Sequence, residues 1–327
     1  MSPLNSIKGF EPARGLKNAH LQTLYSALFR KLSPPDGEIE PFELSDGDFL
    51  DCFWYQKPSK ESLKPIVVLF HGLEGSYKSP YIAGIMHSLH ANGYSSVLMH
   101  FRGCSGRDNR LARCYHSGDT QDARELLASL HQRFPKIPLF AIGYSLGGNM
   151  LLKLLGEERT PLIRAISVSA PLQLDICADK MNSGFSKIYQ YHLMKHLKKS
   201  LLRKYNEHDM HGLIGVDSQG VKKMRSFWEF DNTYTGPIHG FSSAQNYYQE
   251  SSAKQYLFAI TTPTLIIHAL DDPFMTPQIL PNKNEISSRV RLEVSTHGGH
   301  VGFIGGSIFR PHYWLEERII RYLKEEK

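Results

Sequence analysis

The stretch that decides the fold is "FAIGYSLGGN", residues 140–149. It contains Gly-x-Ser-x-Gly centred on Ser145, and it lies between the apolar run "IPLFAIG" and the helical pattern of "LGGNMLLKLLGEE". A strand, a sharp turn and a helix in this order form the setting in which a serine acts as a nucleophile. A pattern this short also occurs in ordinary tight turns, so the rest of the chain must distinguish the two interpretations.

The two glycines of the pattern have a physical role if Ser145 is a nucleophile. A sharp strand-to-helix turn brings neighbouring backbone too close for a Cβ at Gly143 and Gly147. The turn lifts the Ser145 hydroxyl clear of the sheet edge, and the free N–H groups at the start of the next helix point into the same space. The sequence therefore predicts the backbone N–H of Leu146 as one donor to an oxyanion.

Strand-like and helix-like segments alternate on both sides of this stretch. In chain order they are "EIEPFEL", "DFLDCFWYQ", "IVVLF", "SPYIAGIMHSLHANG", "YSSVLMHF", "SGDTQDARELLASLHQRF", "IPLFAIG", "LGGNMLLKLLGEE" and "RAISVSA". The first two flank Asp46-Gly47, a turn dipeptide, and predict a hairpin. The other segments predict an α/β fold, with a mostly parallel, doubly wound sheet and helices on both faces.

The alternation breaks after residue 171. Residues 172–250 are helical in pattern with no clear strand, and they predict a helical cap inserted into the sheet. After it, "TPTLIIHAL" and "RVRLEVS" predict two more strands, and "PHYWLEERIIRYLKEE" predicts a closing amphipathic helix with Pro311 near its start. The predicted organisation is an N-terminal extension packing on the core (1–38), the first part of the core (39–171), the cap (172–250) and the second part of the core (251–327).

The composition excludes several classes of protein. The chain has 327 residues, of which 41% are hydrophobic, and a formal net charge of +6 without any block of Lys and Arg, so we expect no nucleic-acid partner. No run approaches the roughly 18 apolar residues that span a bilayer, and the N-terminus has no apolar signal region. We therefore expect a soluble cytoplasmic protein. The four cysteines are scattered without a CxxC pair, which argues against a zinc site and against a disulfide scaffold.

A serine nucleophile needs a histidine to take its proton and a carboxylate to orient that histidine. On a parallel sheet the carboxylate and then the histidine follow the serine, each at the end of a later strand. "LIIHALDDPF" ends at Asp271-Asp272, and "RLEVSTHGGHVGF" places His297 and His300 after the next strand. We prefer Asp272 because it opens the loop before Pro273. We prefer His300 because two glycines let its loop turn back over the sheet edge.

The second oxyanion donor is expected in the loop after "IVVLF". That loop begins with His71-Gly72, and the next residue, Leu73, can turn its N–H toward the serine. A turn glycine with His71 packed beneath it describes the same residues without contradicting this role.

The sixteen histidines raise the question of a metal site. Three pairs have short spacings, but no glutamate follows the first histidine as in a zinc protease, and supporting carboxylates are missing at the right distances. These pairs are His192 with His196, His208 with His211, and His297 with His300. We expect no metal site and no cofactor.

Longer motifs carry a more specific resemblance. They run from about residue 18 to residue 304 and comprise "NAHLQTLY", "LFHGLEGS", "HFRGCSG", "YHSGDTQD", "GYSLGGN", "EFDNTYTGPIHGFSSAQNYYQESS", "ALDDPFM" and "HGGHVGF". Together they resemble the α/β-hydrolase superfamily and, within it, the YheT-like branch. The resemblance implies Ser145 as nucleophile, Asp272 as the carboxylate of the charge relay and His300 as base, and the sequence does not depart from the family pattern at these positions.

The resemblance implies a hydrolase with an α/β-hydrolase fold that acts on a small-molecule carboxylic ester. Some similar eukaryotic proteins act on acylglycerols or phospholipids and carry a membrane-anchoring N-terminus, which this sequence lacks. Three alternatives stay open on the same fold: a lipid-directed hydrolase, a thioester hydrolase or acyltransferase, and a non-hydrolytic binding protein. The sequence does not predict the acyl length, the alcohol, the oligomeric state or a role for Asp231.

One segment admits contact with a membrane surface. Residues 186–205 contain six Lys or Arg together with Ile188, Leu193, Met194, Leu197, Leu201 and Leu202. A basic amphipathic helix can lie on a membrane. An apolar stripe in a cap more often packs on the cap's own core, and we favour that interpretation.

Overall fold

A nine-stranded sheet forms the centre of the molecule. The computed structural model describes residues 5–6, 10–59 and 61–325. In this part of the chain the strand order is β1-β9-β8-β7-β6-β4-β5-β3-β2. The strands are β1 (Asn5–Ser6), β2 (Glu38–Glu43), β3 (Phe49–Tyr55), β4 (Ile66–Phe70), β5 (Ser95–Met99), β6 (Leu139–Tyr144), β7 (Leu162–Val168), β8 (Thr264–Ala269) and β9 (Val290–Ser295). Only the pairs β2–β3 and β3–β5 are antiparallel, so the predicted mostly parallel sheet is confirmed.

Helices lie before, between and after these strands. They are α1 (Ala19–Phe29), α2 (Pro80–Ala91), α3 (Gln121–Arg133), α4 (Leu146–Glu157), α5 (Leu174–Met181), α6 (Ser186–Lys204), α7 (Met210–Ile214), α8 (Ser218–Lys223), α9 (Phe227–Phe230), α10 (Gly236–Ile238), α11 (Ala244–Ser251) and α12 (Trp314–Leu323). A π-helical turn, Asp231–Thr235, joins α9 to α10. Among these described elements no helix is long and apolar enough to cross a membrane.

The apolar runs of the sequence form the central strands, because the sheet is covered on both faces at these strands. All residues of β4, β5, β6 and β8 are buried. Two large apolar clusters lie on opposite faces of the sheet, one including Val68 and Met150 and the other including Leu69 and Ile319. A parallel sheet covered in this way reads as continuous apolar segments, which is the pattern that the sequence shows.

The closing segment differs from the prediction. Pro311 does not lie at the start of a helix but in β11 (Pro311–Tyr313), which pairs with β10 (Ile304–Gly306) in a small antiparallel sheet. The helix begins at Trp314. Three-residue strands are too short to produce a period in the sequence, so the pattern did not reveal them.

The region between β7 and β8 is helical, from α5 to α11. It has a core of its own around Met194, Leu201 and Tyr234. The apolar residues of α6 divide between two environments: Met194 and Leu201 are buried, whereas Ile188 is exposed. The limits 172 and 250 of the cap stay a prediction, and "cap" below means these residues.

The N-terminal helix α1 is tied to the loop after β9. The Gln22 side chain donates to the carbonyls of Leu16 and Ile304, and its Oε1 accepts the Ile304 N–H. Gln22 is fully buried, so these hydrogen bonds satisfy a polar group that would otherwise be costly to bury. They fix α1 beside the loop that carries His300.

Candidate active site

Ser145 lies at the tip of a strained turn between β6 and α4. Its backbone has φ 51° and ψ −119°, a conformation that residues with a side chain rarely adopt. A Cβ at Gly143 would lie 2.4 Å from the Gly147 carbonyl oxygen, and a Cβ at Gly147 would lie 2.5 Å from the His71 carbonyl oxygen. Both glycines are therefore required by close backbone approach, as the sequence predicted.

Strand register brings the surrounding loops to this turn. Phe70 of β4 lies opposite Gly143 of β6, and Val168 of β7 lies opposite Ile267 of β8. All of these strands run parallel, so the loops that follow them meet at the same edge of the sheet. The residues expected there from the sequence come from four separate segments of the chain.

Ser145, His300 and Asp272 form one chain of hydrogen bonds. Ser145 Oγ lies 2.9 Å from His300 Nε2, and His300 Nδ1 lies 2.8 Å from Asp272 Oδ2. The other carboxylate oxygen of Asp272 accepts the Phe274 N–H at 2.9 Å. The Asp272 side chain is almost fully buried and that of His300 is 9% exposed, so bulk water competes little for these hydrogen bonds.

The alternative pair, Asp271 with His297, lies beside this chain of hydrogen bonds. Asp271 Oδ1 accepts the Gly299 N–H at 2.9 Å, and Oδ2 lies 3.4 Å from His297 Nδ1. His297 makes no hydrogen bond to Ser145 among the described residues. Asp271 therefore shapes the loop that carries His300, and burial raises the pKa of its carboxyl.

Two residues that hold His300 were missed by sequence reasoning. The Phe274 ring stacks on the imidazole, with centroids 4.0 Å apart and planes 9° apart. The Thr23 hydroxyl oxygen of α1 accepts the His300 N–H at 2.9 Å. Both residues lie in the motifs "ALDDPFM" and "NAHLQTLY", but a local pattern does not reveal a contact between residues 277 positions apart.

The backbone N–H groups of Leu73 and Leu146, near Ser145, have no acceptor within the described chain. In the loop after β4, the N–H groups of Gly72, Glu74 and Gly75 all donate, to Tyr81, Tyr115 and the Gly72 carbonyl. The Leu73 N–H has no acceptor among the described residues. At the start of α4, the Leu146 N–H is likewise without an acceptor in the described part of the chain. Leu73, Leu146 and Ser145 all line the same cavity.

Buried side chains hold the Leu73 loop in shape. His71 is fully buried, and burial lowers its pKa to about 3, so the ring is neutral. Its Nδ1–H donates to the Gly72 carbonyl and its Nε2 accepts the Phe101 N–H. On the other side, the Glu74 carboxylate accepts the hydroxyls of Tyr115 and Ser200, which joins this loop to α6.

The cavity above Ser145 has a volume of about 500 Å³, within the range of small-molecule sites. It lies between the sheet edge, α1 and the cap. Its walls are mainly apolar and aromatic, and they include Met181, Leu193, Leu197, Phe227, Tyr234 and Phe274. Such walls bind an apolar chain by removing it from water.

Asp231 is a half-buried residue in the cavity wall, within the π-helical turn. Its two oxygens accept the hydroxyls of Thr235 and Tyr248, each at 2.6 Å. Burial outweighs these hydrogen bonds and raises its pKa to about 6, from an ordinary value of 3.8. The folded protein therefore holds this proton more tightly than the unfolded chain does.

This shift predicts a pH-dependent gain of stability for Asp231→Asn. Because the folded pKa is raised, the contribution of Asp231 to stability is greatest below the unfolded pKa and falls as pH rises toward 6. Asn does not ionise. As the pH rises from about 4 to about 7, the unfolding free energy of the variant should therefore increase relative to that of wild type by up to about 3 kcal/mol.

Urea unfolding of both proteins at about pH 4.5 and pH 7.5 measures this gain. The wild type at each pH is the control, because the difference cancels the titration of every other group. A difference that stays constant over this interval would contradict the raised pKa.

One group of metal-ligating side chains was not found from the sequence. His116, Asp119 and His239 have ligand atoms within 4.8 Å of one another. However, His116 Nδ1 accepts the Gly118 N–H, which leaves the ring proton on Nε2, and Asp119 pairs with Arg113 at 2.7 Å. His116 would have to give up its hydrogen bond to bind a metal through Nδ1, and one Asp119 oxygen is already paired, so these interactions account for the group without a metal.

Comparisons with known proteins agree with the architecture. The family described as "alpha/beta hydrolase fold" matches residues 65–307. The chain is 44% identical to the Escherichia coli protein "Putative esterase YheT", over 98% of this chain and 94% of that protein. It is 27% identical to human "Phospholipase ABHD3", over 87% of this chain and 71% of that protein.

A solved structure supports the fold at lower sequence similarity. The Pyrococcus furiosus esterase Pf2001 superposes with a TM-score of 0.57 at 16% identity. The superposition covers 90% of this chain and 96% of that chain. At this identity the likeness concerns the fold alone.

Proposed function

The chain belongs to the YheT-like branch of the α/β-hydrolase family and is a hydrolase, and from this premise we propose that it is a serine esterase that cleaves carboxylic esters. Ser145 is the proposed nucleophile, His300 the proposed base and Asp272 the carboxylate that orients it. Leu73 and Leu146 supply the proposed oxyanion hole through their backbone N–H groups.

The observation that carries the proposal is the hydrogen-bonded chain from Ser145 to Asp272, which opens on a cavity beside two unused N–H groups. In the first half-reaction Ser145 Oγ bonds to the ester carbonyl carbon while His300 Nε2 takes its proton. The resulting oxyanion accepts hydrogen bonds from the backbone N–H groups of Leu73 and Leu146. His300 then gives the proton to the departing alcohol as the ester C–O bond breaks.

The second half-reaction releases the acid. A water molecule gives a proton to His300 and attacks the acyl-enzyme carbonyl, and the proton returns to Ser145 as that oxygen departs. Asp272 stays ionised and stabilises the imidazolium in both halves. The backbone donors contribute on the order of 3 kcal/mol each to the stability of the transition state.

The apolar cavity favours esters with a hydrocarbon acyl chain. A second candidate activity, hydrolysis of acylglycerols or phospholipids, is supported by the same walls and by relatives named as a phospholipase and a monoacylglycerol lipase. Thioester hydrolysis uses the same groups. A cytoplasmic location stays a prediction from the sequence.

A panel of p-nitrophenyl esters of increasing acyl length tests the proposal. We expect kcat/KM to rise from acetate to medium-chain acyl groups, because each buried CH₂ adds about 0.8 kcal/mol of transfer free energy, or about fourfold in kcat/KM. The rise should stop where the acyl chain fills the cavity. Initial rates of p-nitrophenolate release, measured over a range of ester concentrations, give kcat/KM for each acyl length.

A matched control uses the corresponding p-nitroanilides, in which an amide replaces the ester but the acyl chain is unchanged. A soluble, folded protein that turns over no ester in the panel would contradict the proposed function and favour a binding protein of the same fold. Equal rates for all acyl lengths would retain the esterase and reject the cavity as the acyl site.

A further inference from the structure

We propose that α1 and the start of α6 form a docking surface for an anionic lipid bilayer, so that the cavity above Ser145 opens toward the membrane. The surface consists of an apolar rim (Leu21, Leu28, Phe29, Phe185, Ile188, Ile308 and Phe309) and the exposed lysines around it. This proposal concerns binding rather than chemistry, and it can be tested without turnover.

The rim residues are large apolar side chains that the fold leaves in water. Leu28 is 66% exposed, Phe29 65%, Ile188 56% and Phe309 94%. Scattered single residues of this kind are ordinary on a protein surface, whereas a contiguous group marks an interaction site.

Contacts between the elements show that the group is contiguous. The His20 ring of α1 lies 4.2 Å from the Phe185 ring, and His20 Nδ1 lies 3.0 Å from the Tyr189 hydroxyl of α6. At the other end of α1, the Tyr25 hydroxyl donates to the Ile308 carbonyl, and its ring lies 5.4 Å from that of Phe29. Phe185, α1 and residues 308–309 are therefore neighbours on one side of the molecule.

The same two helices border the cavity. Thr23, Leu24 and Ala27 of α1 line it, and so do Tyr189 and Leu193 of α6. The rim residues occupy the outward sides of these helices. An acyl chain leaving a bilayer bound to the rim would therefore meet the cavity without crossing much water.

Charge decides which kind of surface fits the rim. Residues 12–35 and 180–206 together contain eleven Lys or Arg and no Asp or Glu. In the described part of the chain, seven of these cations form neither an ion pair nor a side-chain hydrogen bond: Arg14, Lys17, Lys31, Lys180, Lys187, Lys195 and Lys199. An apolar rim among unpaired cations complements anionic lipid headgroups over an acyl layer, whereas the surface of a neutral soluble partner would leave this charge unmatched.

The outer face of α6 continues this arrangement along its length. Ile188, Tyr191, Lys195 and Lys199 follow helical spacing, with the apolar end beside α1 and the lysines further along. Tyr191, Lys195 and Lys199 line a shallow basic groove. Lys198 is not part of this exposed surface, because its ammonium donates to the carbonyls of Lys222 and Met224 within the cap.

Flotation with extruded vesicles tests the proposal. The protein carries Ser145→Ala so that no lipid is consumed, and the vesicles are phosphatidylcholine alone or with about one third phosphatidylglycerol. We expect binding to the anionic vesicles only, weakened by salt. Leu28→Ser/Ile188→Ser should lower the partition coefficient by on the order of tenfold or more, and Lys195→Glu/Lys199→Glu should do the same.

Matched controls lie at the opposite edge of the sheet. Phe258→Ser removes an equally exposed aromatic residue before β8, and Lys136→Glu reverses an exposed lysine before β6. Both should bind like the parent. With Ser145 restored, all four variants should hydrolyse a water-soluble ester at the wild-type rate, which shows that they are folded.

No binding of the parent, or an equal loss in the control variants, would overturn the proposal. Binding only to neutral vesicles would overturn the role of the lysines. Because these measurements use a protein without the Ser145 hydroxyl, their failure leaves the proposed esterase intact, and a failed ester panel leaves the docking surface intact.

Discussion

Ser145→Ala is expected to lower kcat/KM for every ester by at least about 10⁴-fold. The change removes the only atom that the proposed mechanism bonds to substrate, while His300, Asp272 and the two N–H donors stay in place. The remaining rate comes from water attacking a bound ester. A fluorophosphonate reagent measures the same property directly: Oγ displaces fluoride from phosphorus, and peptide mass spectrometry locates the adduct.

Ser167→Ala is the matched control for this change. Ser167 is fully buried, on the neighbouring strand β7, and its hydroxyl has no hydrogen-bond partner in the described part of the chain. We expect its kcat/KM to stay within about twofold of wild type. If Ser145→Ala protein is labelled as fast as wild type, Ser145 is not the nucleophile.

The second large effect is expected at the carboxylate. Asp272→Asn should lower kcat by roughly 10³- to 10⁴-fold. The Asn side chain can keep its oxygen on the Phe274 N–H and so present its NH₂ group to His300 Nδ1. His300 would then carry its proton on Nε2 and donate toward Ser145 instead of accepting its proton. KM should change little, because the cavity walls are untouched.

Asp271→Asn, one residue earlier in the chain, is the control for Asp272→Asn. Its oxygen can keep the Gly299 N–H, and its partner His297 is 40% exposed and makes no hydrogen bond to Ser145. We expect a loss of less than about tenfold. A larger loss for Asp271→Asn than for Asp272→Asn, in steady-state kinetics on one ester, would assign the charge relay to the Asp271–His297 pair.

The fold was largely predictable because its signals are local. The central strands are short, mainly apolar runs, and each strand from β4 to β7 is followed by a helix, so the parallel sheet follows from sequence order. The turn at Ser145 was predictable for the same reason. Backbone approach at Gly143 and Gly147 leaves no room for a side chain, and the presence of glycine at both positions indicates that restriction in the sequence.

Contacts between distant segments were not predictable. Gln22 and Thr23 hold the loop of His300 from the other end of the chain, and no periodicity in "NAHLQTLY" indicates this. Asn149 is similar: its amide donates to the carbonyls of Ser117 and Ser251 and accepts the Ala253 N–H, which joins α4 to the end of the cap. A single sequence shows each of these residues but does not show which distant residues contact one another.

The sequence by itself determined which groups could react and the order in which the strands deliver them, because residue type and strand length are local properties. It left two aspartates and two histidines within a few positions of each other. Only the tertiary structure decided which histidine lies 2.9 Å from Ser145, since that distance depends on strand register, on the turn at Gly298-Gly299 and on the packing of α1 against it. The same packing leaves the apolar rim exposed to water. Composition does not predict this rim, because its residues come from distant segments that meet only on the folded surface.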